Sequence, residues 1–225
     1  MAPRHALATA EQAGVRLGRT WVFTALDFTG HAGDRLHLSG PNGAGKTTVL
    51  RCLAGALTLR HGRMNVAGHP AGSAAARATV GVCLDPENAL HSRLTATENL
   101  LLGARLRLSS PAARSAADQL VDTMGISSFA DREVRHCSAG QRARISIARA
   151  LVGDPQVLLF DEPTRSLDAD GRTRFWAALD QRPAAAVLLV SHDPEDADRC
   201  SSRVFLPSRR NESVRGDVPG RPVIR

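Results

Sequence analysis

Residues 40 to 47 read Gly-Pro-Asn-Gly-Ala-Gly-Lys-Thr, and this octet constrains the fold more than any other stretch of the chain. It has the pattern G-x-x-x-x-G-K-[ST]. Gly40, Gly43 and Gly45 let the backbone turn tightly and come closer to a ligand than a Cβ would allow, while Pro41, Asn42 and Ala44 fill the variable positions. Successive backbone N–H groups then point into one concavity, and the positive end of the following helix adds to the attraction. Such a loop suits a polyphosphate. Lys46 is placed for the β- and γ-phosphates and the Thr47 hydroxyl for Mg²⁺, with Thr48 beside them at the helix start. Before the loop, Arg35-Leu36-His37-Leu38-Ser39 alternates like a strand, and after it Thr48 to Ala54 continues as a helix up to Gly55. Lys46 is also the only lysine of a chain rich in arginine. A compact ammonium inside a phosphate cradle explains why arginine does not replace it here.

A chain of 225 residues with 43% hydrophobic content is long enough for one domain with a sizeable core. No stretch approaches the roughly 20 apolar residues that span a bilayer, and the first ten residues lack the sustained apolar core of a signal peptide. The sequence therefore predicts a protein that is soluble by itself. Cys52, Cys83, Cys137 and Cys200 are scattered with no C-x-x-C pair, the pattern of reduced, mostly buried thiols. The formal charge is +7, but it comes from dispersed arginines, with one pair at Arg209-Arg210. Aromatic residues make up 4% and tyrosine is absent, so stacking platforms for nucleic acid are hard to build and no nucleic-acid partner is expected.

Residues 1 to 14 carry no clear pattern and are expected to be a frayed start. Val15 to Phe28 is rich in β-formers, and Met64-Asn65-Val66 and Val80 to Leu84 have strand character. From Leu94 the texture becomes helical. Thr95-Ala96-Thr97-Glu98 has the form of a capping box, and Ser110-Pro111 that of a cap followed by proline. A helical insert is expected over about residues 86–137, or 86–153 with the helix that Ser138 opens. Val157-Leu158-Leu159-Phe160 is an unbroken apolar strand of the kind buried on both faces, and Val187 to Val190 is another. The stretch from Pro207 is rich in Arg, Pro and Gly and is predicted to be an unfolded tail, 207–225.

Asp161 and Glu162 directly follow the first of these apolar strands. In α/β folds the ligand lies outside the carboxyl ends of the strands. Asp161 suits Mg²⁺, directly or through water, and Glu162 suits the water that attacks a γ-phosphate.

The order of phosphate loop, helical insert, Cys137-Ser138-Ala139-Gly140-Gln141, Leu158-Leu159-Phe160-Asp161-Glu162-Pro163, Ser166-Leu167-Asp168 and Ser191-His192 resembles the ATP-binding subunits of ABC transporters, over about residues 15 to 206. The resemblance implies a head-to-tail dimer with two ATP molecules at its interface. It places Ser138, Gly140 and Gln141 against the γ-phosphate held by the partner, Asp168 in a loop that signals across the dimer, and His192 as a switch residue on the γ-phosphate. It also implies a RecA-like P-loop core within a single domain over 1–206, with an antiparallel β flank and an inserted α-helical subdomain. The implied cofactors are ATP and Mg²⁺. The implied partners are a separate transmembrane permease subunit and a second ATP-binding subunit. The compact chain resembles exporter subunits, working at the inner face of the cell membrane.

The chain departs from the family pattern at four places. Cys137 and Ala139 replace the leucine and first glycine of the usual signature. Ala139 fits wherever its φ is negative. Asp85 stands where a glutamine is expected beside the metal, which makes it a third candidate metal contact with Thr47 and Asp161. Leu17 stands where the family has an aromatic residue on adenine, with Trp21 and Phe23 as possible substitutes.

Overall fold

The computed structural model describes residues 5–207. Two sheets and a group of helices are built around the strand that ends at Asp161. The chain opens with a hairpin of β1 (Ala6–Leu17) and β2 (Thr20–His31), closed by Gly18-Arg19. Here the expected frayed start over residues 1 to 14 is corrected from Ala6 onward, residues 1–4 lying outside the described residues. Alanines dominate the first half of β1 and are weak strand formers, but β1 lies between β2 and β4 (His61–Val66) and pairs with both. Leu7, Ala8, Ala10, Ala13 and Val15 are buried beneath it. Pairing on both edges overrides local propensity. With β5 (His69–Pro70) these strands form an antiparallel sheet of order β2-β1-β4-β5.

The second sheet holds β3 (Arg35–Ser39), β6 (Val80–Cys83), β7 (Val157–Asp161), β8 (Ala186–Val190) and β9 (Ser202–Phe205). Every pairing in it is parallel, in the order β6-β7-β8-β3-β9. Strand alternation explains the unbroken apolar run of β7. Leu158 and Phe160 face one core, with Val187 and Leu189 of β8 and the helical insert. Val157 and Leu159 face the other, with α1 (Lys46–Leu53), Leu188 and the antiparallel sheet. Phe160 and Phe175 meet edge to face at 5.2 Å inside the first core.

Between β6 and β7 the chain forms α3 (Ala96–Arg105), α4 (Ser110–Thr123) and α5 (Ala139–Leu151), after the short α2 (Ala74–Thr79). Thr95 and Glu98 close a reciprocal capping box on α3. On α4 the cap is Ser109, one residue earlier than expected, with Pro111 inside the first turn. After β7 come α6 (Ala169–Asp180) and α7 (Pro194–Asp198). Among the described residues no helix is long and apolar enough to cross a membrane. Of the expected tail only Pro207 is described; the rest lies outside the described residues.

Candidate functional site

The carboxyl ends of β3, β7 and β8 open into one cleft of 1310 Å³. The octet forms its floor. Gly45 is the N-cap of α1 with φ 102°, and a Cβ there would stand 2.7 Å from Val22 Cγ1. Gly43 has φ 78° and no atom within 4 Å of where its Cβ would be. That space above the loop is the hollow a side chain would fill. No side chain caps the start of α1 and its first turn carries no acid, so no group within the helix itself offsets its positive end. Lys46, 8% exposed, donates from Nζ to the carbonyls of Gly40 at 2.8 Å and Pro41 at 3.1 Å. Its charge is held over the loop by two neutral acceptors that an anion can displace.

Thr47 Oγ1 donates to Asp161 Oδ2 at 2.5 Å. Burial pushes the Asp161 carboxyl above its ordinary range, against the Thr47 hydrogen bond and the charges of Arg51 and Lys46. Hard oxygens from a hydroxyl and a carboxylate suit Mg²⁺. Among the described residues no three His, Cys, Asp or Glu side chains come together as a metal cage. A cation held by this hydroxyl and carboxylate would take its remaining oxygens from water or a bound phosphate, as Mg²⁺ commonly does.

Glu162 lies in the same cleft, although strand alternation would turn neighbours to opposite sides. The alternation breaks because Glu162 leaves β7 with φ 50°, in the left-handed region. His192 Nε2 stands 3.6 Å from Glu162 Oε1, and the His192 backbone N–H donates to Oε2 at 3.4 Å. Oε1 is buried with no hydrogen-bond partner. Burial raises the Glu162 carboxyl, with the His192 backbone N–H acting the other way. An unsatisfied carboxylate oxygen of raised basicity is fitted to take a proton from a ligand or water.

Asp85 also lines the cleft. Its Oδ1 accepts from the backbone N–H of Asn88 at 3.3 Å and from Asn88 Nδ2 at 3.0 Å, so one carboxylate oxygen forms the turn after β6. Leu17 and Trp21 are exposed at the hairpin tip, where Trp21 packs against His61 at 5.2 Å and Arg16 at 5.9 Å, and neither lines the cleft. Phe23 packs against the second core.

Ser138, Gly140, Gln141 and Asp168 do not line this cleft. Ser138 is the N-cap of α5, accepting from Gln141 N at 3.2 Å while Gln141 Oε1 accepts from Ser138 N at 3.0 Å. Ala139 has no positive φ and is tolerated on the helix. Gly140 is a necessary glycine, since a Cβ would stand 2.8 Å from the Ser166 carbonyl oxygen. Asp168 caps α6 through Gly171 N at 2.8 Å and receives Arg144 Nη2 at 2.6 Å, and both hold its carboxyl below the ordinary range. Arg144 also reaches Asp170 at 2.8 Å and the Met124 carbonyl at 3.3 Å. One guanidinium thus joins α5, the start of α6 and the end of α4. In the sequence Arg144 is one arginine among many, and only the fold distinguishes it.

A family model described as ABC transporter matches residues 23–165. A Nod factor export ATP-binding protein I from Burkholderia lata is 38% identical over 196 residues, covering 85% of this chain and 64% of that protein. One from Rhizobium meliloti is 36% identical over 205 residues, covering 89% and 60%. The chain spans less than two thirds of the length of these relatives. Among solved structures, a dimeric ATP-binding cassette in a post-hydrolysis state bound to ADP and Pi is similar, with a TM-score of 0.81 at 22% identity over 94% of this chain and 100% of that one. An ATP binding subunit of an ABC transporter gives 0.79 at 24% identity over 89% and 85%. At these identities the two structures share the fold.

Proposed function

Because the chain belongs to the ABC transporter family, we propose that it binds and hydrolyses MgATP as the ATP-binding subunit of an exporter whose membrane-spanning subunits are separate polypeptides. The observation that carries this reading is convergence: Lys46, the Thr47–Asp161 pair and the Glu162–His192 pair come from three strand ends and two loops to one cleft. Lys46 exchanges the Gly40 and Pro41 carbonyls for phosphate oxygens, and the amides of residues 43–48 hold the rest of the polyphosphate. Thr47 and Asp161 hold Mg²⁺, with Asp85 a third candidate. When bound, the ion neutralises charge on the phosphate oxygens. Glu162 accepts the proton of the attacking water, and His192 beside it faces the γ-phosphate. The remaining candidates, Ser138, Gly140, Gln141 and Asp168, are read as the face offered to a second ATP-binding subunit. Their separation from the cleft of their own chain favours that reading. Residues 1–206 are read as one ATPase domain at the inner face of the cell membrane. The export ATP-binding relatives and the lack of a spanning helix among the described residues support that placement.

The test is ATP turnover by the purified chain. Glu162→Gln is expected to keep ATP binding and lower turnover by about two orders of magnitude or more, and Lys46→Ala to lose binding. Turnover that survives Glu162→Gln removes Glu162 from the mechanism. Light scattering of Glu162→Gln protein with MgATP is expected to give twice the monomer mass. A monomer at saturating MgATP argues against the two-copy arrangement.

A further inference from the structure

Glu162 and His192 lie 30 residues apart and reach their contact from two different loops, neither of which is fixed by the pair itself. Beneath them lies a third side chain that holds both loops. Asp196, on α7, is 1% exposed, and its Oδ2 accepts two hydroxyl protons. One comes from Thr164 Oγ1, two residues after Glu162. The other comes from Ser191 Oγ at 2.7 Å, one residue before His192. Thr164 and Ser191 are themselves 1% and 6% exposed. Asp196 is absent from the cleft lining and touches no candidate catalytic atom.

The surroundings make Asp196 a poor choice for stability alone. Among the described residues no lysine or arginine lies within ion-pair distance of it; Arg172, paired directly with Asp193, interacts with its charge only from farther off. A buried carboxylate with no direct ion pair is costly, and packed apolar side chains commonly do as well or better. What this carboxylate supplies is geometry. Glu162 stands at φ 50°, a sparsely populated conformation for a residue with a side chain. Such conformations persist only where the surroundings over-determine them. Glu162 is tied on one side by its backbone N–H to the Val190 carbonyl at 2.8 Å and on the other by Thr164 to Asp196. The His192 loop is fixed with equal completeness. The Ser191 hydroxyl donates to Asp196 and accepts from the Asp193 backbone N–H at 3.1 Å, and the Ser191 carbonyl accepts from His37 Nε2 at 3.0 Å.

We propose that Asp196 is a positioning residue that sets the separation of Glu162 and His192, acting through the Thr164 and Ser191 hydroxyls. The proposal rests on the hydrolysis reading for its consequence in turnover, but not for its geometry. Displacing a catalytic group by about 1 Å can reduce rate by up to about a hundredfold. Thr164→Val keeps the shape of the side chain and removes the hydroxyl, Thr164→Ser returns the hydroxyl, and Asp196→Asn weakens the acceptor.

Thr164→Val and Asp196→Asn are expected to lower kcat by about tenfold, with KM for MgATP within about twofold of wild type. Thr164→Ser is expected to stay within about twofold in kcat. In NMR spectra at fixed pH, the His192 ring resonance, assigned by its loss in His192→Gln, is expected to move in Asp196→Asn and Thr164→Val but not in Thr164→Ser. A fall in melting temperature with unchanged kcat per folded molecule and an unmoved His192 resonance would make Asp196 a stability element and overturn the proposal. So would a loss expressed wholly in KM. Failure of Glu162→Gln to lower wild-type turnover counts against the hydrolysis reading instead, and the His192 resonance then still decides the role of Asp196.

Discussion

Glu162 carries the clearest residue-scale consequence. Burial raises its carboxyl, so the folded chain keeps the proton to a higher pH than the unfolded chain does. Below the unfolded-state value near about pH 4 both states are protonated, and the acid and its amide behave alike. As pH rises through the raised folded value, ionisation takes away stability that the amide does not lose. Glu162→Gln is therefore expected to melt higher than wild type at neutral pH in the absence of nucleotide, with the difference closing as the pH falls toward about 4. Melting curves across that range check it, and a difference independent of pH contradicts the assigned cause. Asp85 gives a second test. It lines the cleft while one of its oxygens holds Asn88. Asp85→Asn is expected to raise the Mg²⁺ concentration for half-maximal turnover by about twofold or more while leaving ATP binding in place. Superimposable Mg²⁺ titrations would reduce Asp85 to a turn former.

Among the elements, α3 and α5 begin with the same device. Thr95–Glu98 and Ser138–Gln141 are both complete capping boxes. Replacing either cap by alanine is expected to cost about 1 kcal/mol, a fall in melting temperature of about 2–4 °C. Only Ser138→Ala is expected to lower ATP turnover as well. Equal turnover in the two variants would leave Ser138 with a capping role alone. The Thr95 box and the helix start at Ser138 were visible in the sequence, because a cap is a local pattern of four residues; that Gln141 completes a second box was not read there. The octet, the strand ending in Asp161 and the helical insert were legible for the same reason. The first strand was not, since Ala6 to Ala13 become a strand only through the partners on either side. Nor were α7 and β9, short elements that carry little periodicity and hold their places by tertiary bonds such as those of Asp196 and Ser201. At the site, sequence supplied the two carboxylates. The left-handed φ that turns Glu162 into the cleft, and the carboxylate beneath it, are products of packing between segments distant in sequence.

For the whole molecule, β7 matters as a wall between two cores. Its alternate side chains belong to opposite layers, so neither layer has an apolar interior without the other. Unfolding is therefore expected to be one transition. The two tryptophans report on it from opposite sides, Trp21 from the antiparallel sheet and Trp176 from the core that holds the insert. In Trp176→Phe and Trp21→Phe proteins, fluorescence and far-ultraviolet ellipticity are expected to trace one denaturant curve within each variant. Separated curves would mean that the layers melt independently. A shared wall also makes stability indivisible. The strand that divides the cores ends at Asp161, in the cleft. A ligand gripped at that one rim then has the entire molecule as its counterweight: what it adds to the folded state, it adds to both layers at once, including the face of the insert farthest from where it is bound.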